Sequence, residues 1–98
     1  MPSHSTLQVP AQVLEATSVT ELLRVWGADG KQIIALRADA WSDPAVWGIC
    51  LAELARHVAR AFEVTGKMPS SEALGRIRAG LDAEWAFPTD STRGDVGR

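Results

Sequence analysis

Cys50, Glu53 and His57 follow one another at spacings of three and four, so on a helix they line one edge. A thiol, a carboxylate and an imidazole in such a row are the materials of a metal site, or of a nucleophile with its base. Geometry works against both. Seven residues separate Cys50 from His57, a rise of about 10.5 Å, which is too long for direct contact between two such side chains. The plainer expectation is a Glu53 to His57 pair beside a small buried thiol. Tryptophans stand at 26, 41, 47 and 85. Trp41, Trp47 and Trp85 are candidate walls of an apolar ligand pocket, although each also continues a strand or helix pattern and so reads as core or interface. Arg24 and Arg37 fall on one face of an expected hairpin and could hold an anion between them. The expectation is rather that they are solvated or meet a carboxylate across an interface. His4 lies between two serines near the N-terminus and is assigned no role. The sequence contains no phosphate-cradling glycine loop, nucleophile elbow, paired zinc spacing or kinase-like motif. No catalytic residue, cofactor or metal is therefore expected.

Composition narrows the class further. A chain of 98 residues is one domain, close to the size at which a single core only just offsets the entropy lost on folding. Hydrophobic residues make up 46% and charged residues 22%, the range of a soluble globular protein rather than a disordered one. A net charge of -2 supplies no basic surface to neutralise a phosphate backbone, so nucleic acid is not an expected partner. The N-terminal stretch has neither a basic start nor an apolar run suited to export or membrane insertion, which points to the cytoplasm. One cysteine forms no internal disulfide, consistent with a reducing compartment.

The elements that must position these residues can be read in order. Residues 1–18 lack strict alternation or a helical stripe and read as a partly mobile arm, within which 8–16 could form a short packed turn. Asp29-Gly30 between two runs of β-formers is a strong hairpin signal. With those two at the turn, Leu23 faces Leu36 and Val25 faces Ile34 on one aliphatic face, expected to be core. Trp26 with Ile33, Arg24 with Ala35 and Leu22 with Arg37 occupy the other. Asp43 before Pro44 predicts an N-cap, with a helix over 44–65 stopped by Gly66. Trp47 is expected to fold back on Trp41. Around that helix, Trp47, Leu51, Leu54, Val58 and Phe62 form a bulky stripe. Ala45, Gly48, Ala52, Ala55 and Ala59 form a small one beside it, the two spanning roughly 200°. Gly48 in the small stripe predicts an approach too close for a methyl group. A second helix starts with Ser70 or Ser71 as its N-cap and repeats Leu74, Ile77, Leu81 and Trp85 on a narrower face. Glu72 with Arg76 and Arg78 with Asp82 mark its solvated side. Residues 88–98 read as a disordered tail. The expected fold is α+β: an antiparallel β-hairpin followed by two α-helices (ββαα) over 19–87, its sheet extended or covered by oligomerisation.

The strings ELLRVW (21–26), ALR (35–37), WSDPAVWG (41–48) and ARHVARAF (55–62) resemble those of an uncharacterised family of short bacterial proteins, domain of unknown function 5076. The resemblance implies a small α+β bacterial protein and brings no catalytic residue, substrate or cofactor with it.

A body of about 70 residues rarely gains more than 3 to 5 kcal/mol from its own core, yet this one carries two apolar hairpin faces and a doubly striped helix. The function expected is a non-enzymatic module that self-associates as a dimer or higher oligomer and binds a protein partner. Ala45, Gly48, Ala52, Ala55, Ala59, Trp26 and Ile33 are its candidate interface. Two hairpins would join edge to edge into four strands, or two copies of the first long helix would meet along their alanines. The alternative expectation is a small-molecule binding module using the Trp41, Trp47, Trp85 pocket.

Overall fold

The computed structural model describes residues 3–89 and 93–97, the latter by backbone only. Its elements are α1 (Ala11–Glu15), β1 (Leu23–Ala28), β2 (Lys31–Arg37), α2 (Pro44–Val64), α3 (Ser70–Ala86) and β3 (Arg93–Gly97). The heart of the chain is thus the expected antiparallel hairpin followed by two helices, an α+β fold.

Asp29 and Gly30 both take positive φ, 51° and 77°, the mirror-image turn whose twist matches a two-residue hairpin. That turn fixes the register: Leu23 faces Leu36, Arg24 Ala35, Val25 Ile34 and Trp26 Ile33, as the sequence predicts. Leu22 joins the ladder through the Arg37 amide, which donates to its carbonyl at 2.9 Å. The aliphatic face does not become the expected core. Leu23, Ile34 and Leu36 are half-buried and Val25 stays 48% exposed. Among the described residues no Cα of the sheet lies within 8 Å of a helix Cα, so no helix backbone closes tightly on this face.

Pro44 opens α2 and the Asp43 carboxylate accepts from the Ala45 amide at 3.0 Å. At the other end Gly66, at φ 75°, donates to the Glu63 carbonyl while Lys67 donates to that of Phe62. This pair of bonds closes the helix in a Schellman motif. Lys67 Nζ then sits 5.5 Å from the Phe62 ring centroid. The start of α3 differs from expectation. Ser70 is already helical, Pro69 holds the capping position, and no side chain of the local segment caps it. The Ser70 amide donates instead to Glu63 Oε1 at 2.9 Å, so the last turn of α2 supplies the carboxylate that the N-terminus of α3 favours.

The two helices form an antiparallel pair held by small residues: Ala59 and Ala73, 2% and 3% exposed, are the buried side chains of the described chain. On α3, Arg78 Nε meets Asp82 Oδ1 at 3.0 Å beside the space between the two helices, and Arg76 lies 3.9 Å from Glu72. At the termini, 8–16 contains a true helix, α1, yet Leu14 is 75% exposed and, among the described residues, α1 comes within 8 Å, Cα to Cα, of no other element. The tail departs further from expectation. Arg93–Gly97, expected to be disordered, pairs parallel with β2, satisfying the backbone groups of the far β2 edge. The sheet order is β1-β2-β3. Met1, Pro2, residues 90–92 and Arg98, part of the expected arm and tail, lie outside the described residues.

Candidate functional site

The residues nominated for bond-making chemistry are not assembled. Cys50 is a free, half-buried thiol, while Glu53 and His57 are exposed and make no hydrogen bond or ion pair with each other. The expected Glu53 to His57 pair is absent because both side chains reach water on the outer edge of α2. Among the described residues no three His, Cys, Asp or Glu side chains gather as metal ligands. Arg24 is engaged within its own chain: its guanidinium grips Glu21 through two bonds, Nη2 to Oε2 at 3.1 Å. That hydrogen bond, reinforced by the charges of Arg24 and Arg37, holds the Glu21 carboxyl below the usual carboxylate range and raises Arg24. Arg37 Nε donates to the Glu21 carbonyl at 3.0 Å. The two arginines therefore close around Glu21 and not around a free anion.

What the helices do form is an open apolar groove. Between the Gly48 end of α2 and the Trp85 end of α3 lies a cavity of about 480 Å³. Gly48, Leu51, Ala52 and Ala55 of α2 and Ile77, Leu81 and Trp85 of α3 line it, with the Arg78–Asp82 ion pair beside them. The small stripe thus does two jobs. Ala59 is sealed inside the chain, Ala55 is half-buried, and Ala45, Gly48 and Ala52 are exposed. A methyl group built on Gly48 meets no atom within 4 Å, so the close approach predicted there does not come from this chain. The bulky stripe is no better covered: Leu51, Leu54 and Val58 are exposed, as are Trp85 and Phe87 at 81% each.

The tryptophan pocket separates into two places. Trp41 and Trp47 pack edge to face, with centroids 4.9 Å apart at 72°, which is the expected fold-back over the start of α2. Trp85 stands at the groove mouth, and neither Trp41 nor Trp47 lines that groove. The Trp26 and Ile33 face is exposed too, although arm residues Ser3, His4, Ser5 and Thr6 enclose with it a hollow of about 550 Å³. Ile77 and Leu81 were not nominated as site residues. The spacing of Leu74, Ile77, Leu81 and Trp85 carried the signal, but only the placing of α2 alongside α3 turns part of that stripe into a wall.

A twisted β-hairpin with a following antiparallel helix pair and unburied apolar faces defines a small α+β domain. Residues 6–89 match the family model described as Domain of unknown function (DUF5076), and the chain belongs to that family. It is also similar to a solved structure from the photosynthetic bacterium Rhodopseudomonas palustrus CGA009, described as a "putative pyruvate dehydrogenase". The two share 34% identity over 93% of each chain, with a TM-score of 0.69. No curated protein matches this chain. Among the described residues no helix is long and apolar enough to cross a membrane.

Proposed function

We propose that this protein is a non-enzymatic module of the cytoplasm that self-associates, and that the assembled form presents a surface to a protein partner. One observation carries the reading: the side chains that a folded chain ordinarily hides are outside. A compact chain of 10.5 kDa exposes about 5,400 Å², whereas this one exposes 8730 Å². Its radius of gyration is 15.5 Å against about 13 Å for a compact domain of this length. The extended arm contributes to that excess, but Val25, Leu51, Leu54, Leu81 and Trp85 lie on regular elements and are exposed. Obligate interfaces bury about 1,000 Å² or more per partner, well within the surplus. Sedimentation equilibrium at micromolar concentration is the test. A mass that is a multiple of the single chain supports the reading, and a stable single chain refutes it.

The activity in the description of the similar structure is not carried over. An oxidative decarboxylation leaves its hard chemistry to a cofactor that the protein must grip. At the N-termini of α2 and α3, Asp43 and Glu63 of the chain itself each accept from one backbone amide. A second reading has one observation in its favour: the α2–α3 groove is within the size range of small-molecule pockets, and Trp85 stands over it. A saturable change in tryptophan fluorescence during a metabolite titration would support a ligand there. A spectrum that depends only on protein concentration supports assembly.

A further inference from the structure

We infer that the second copy joins along the outer edge of β1, by antiparallel pairing about a two-fold axis at Val25, making a six-stranded sheet. The inference rests on the self-association reading and specifies its geometry. In the two-residue hairpin, Ala28 and Lys31 flank the turn as a hydrogen-bonded pair, so Trp26, Arg24 and Leu22 also turn their amides and carbonyls toward β2. The Leu22 carbonyl accepting from Arg37 confirms this phase. Leu23, Val25 and Gly27 consequently direct theirs outward. Among the described residues no hydrogen bond reaches these outward groups, and β3 occupies the far edge of β2, leaving β1 as the open side of the hairpin.

Within its own sequence that edge carries few of the usual protections, the arm residues Ser3, His4, Ser5 and Thr6 bordering it only around Trp26, Gly27 and Ala28. β1 has no proline, no lysine and no bulge, its pairing with β2 being continuous over all six residues. Its one charge, Arg24, is neutralised by Glu21 of the same chain. A bare, apolar strand edge is a template for another strand. A second copy of β1 is the occupant that closes the assembly, because pairing β1 with a different edge such as β3 is head-to-tail and propagates. Centring the axis on Val25 uses every outward group. Val25 meets Val25 of the partner subunit, Leu23 meets Gly27 of the partner subunit, and the reciprocal pair completes the ladder. Arg24 then lies opposite Trp26 of the partner subunit, within reach of a cation on a ring. The aliphatic face of Leu23, Val25, Ile34 and Leu36 also becomes continuous across the joined sheet, enlarging the surface that helices must cover.

Cross-linking tests the register. In a Cys50→Ala background, Val25→Cys places two thiols on a hydrogen-bonded pair, about 5.5 Å between Cα atoms and within disulfide range. Ala28→Cys places its thiols roughly 20 Å apart. Under copper-phenanthroline oxidation, Val25→Cys should run mostly as a covalent dimer on a non-reducing gel and Ala28→Cys as a single chain. Val25→Pro removes one outward N–H and no hydrogen bond within the hairpin, so it should weaken assembly at least tenfold without breaking the β1–β2 ladder of the assembled form. A wild type that is oligomeric, with Val25→Cys failing to cross-link or Val25→Pro assembling normally, overturns the β1 edge and leaves self-association standing. A wild type that is monomeric overturns both.

Discussion

Asp43 does its work with one oxygen. Its carboxylate accepts from the Ala45 amide at the point where Pro44 has already set the first helical dihedral, so one orphan donor of a 21-residue helix is satisfied locally. Asp43→Ala should cost about 1 kcal/mol in urea denaturation, while Asp43→Asn should cost a few tenths, since an amide oxygen can take the same bond. Glu21 gives a prediction with a pH sign. The hydrogen bond from Arg24 lowers its pKa in the folded chain, so the carboxylate is the form that folding favours. Its contribution is present above the ordinary carboxylate pKa of 4.5 and is lost as pH falls through the lowered folded value. Glu21→Gln should flatten the acid limb of the stability profile below that ordinary value and leave neutral pH nearly unchanged, because the pair is solvent-exposed. The Asp43 cap was legible in the sequence because donor and acceptor are neighbours in the chain. Glu63 capping α3 was not, because it requires two helices to be laid antiparallel before a carboxylate at 63 can reach an amide at 70.

Elements follow the same division between local and distant causes. The hairpin register, the start and stop of α2 and the Trp41–Trp47 contact are each set by residues close in sequence, and all were readable from turn chemistry, caps and spacing. The β3 strand was missed because RGDVG has two glycines and no alternation. Its place comes from an open β2 edge and not from its own propensity. The empty space at Gly48 was missed for a related reason: a stripe of small residues announces a close approach without naming what approaches. Gly66 carries the positive φ of the Schellman turn, so Gly66→Ala should lower stability by about 1 kcal/mol through backbone strain, read as a lower urea midpoint at unchanged slope. The groove offers a sharper contrast. Ala52→Leu places a larger side chain into open space, which one copy tolerates, but it fills the wall that a neighbouring copy would use. If α2–α3 is an interface, Ala52→Leu should shift the sedimentation profile toward single chains, with the exposed control Arg76→Ala behaving as wild type. Unchanged assembly in both variants would restrict the contact to the sheet.

At the scale of the whole molecule, the separation of sheet from helices sets what dissociation must do. A sheet with two uncovered faces is marginal in water, and an α2–α3 pair sealed by Ala59 and Ala73 buries little apolar area. Among the described residues neither half is fully covered by its own chain, so in the proposed assembly the surface that joins copies is also the one that stabilises the fold of each. Breaking the assembly should therefore unfold the chain rather than release a folded monomer. Thermal midpoints should rise by roughly 3 to 5 °C for each tenfold increase in protein concentration, since a tenfold change is worth about 1.4 kcal/mol and a domain pair of this size shifts by a few degrees per kcal/mol. Far-ultraviolet circular dichroism, which reports helix and strand, and tryptophan emission, which reports Trp26, Trp41, Trp47 and Trp85, should trace one coincident transition at every concentration. A concentration-independent midpoint, or helical signal that survives after the mass has fallen to a single chain, would mean that the chain covers its own apolar faces. The residues nearest to hand for that role are those of the arm, where Ser3, His4 and Thr6 already border Trp26 and Ile33. Removing residues 1–10 separates the alternatives: a self-covered monomer should lose stability with the arm, while an assembly held by β1 and the helices should keep both its mass and its dependence on concentration.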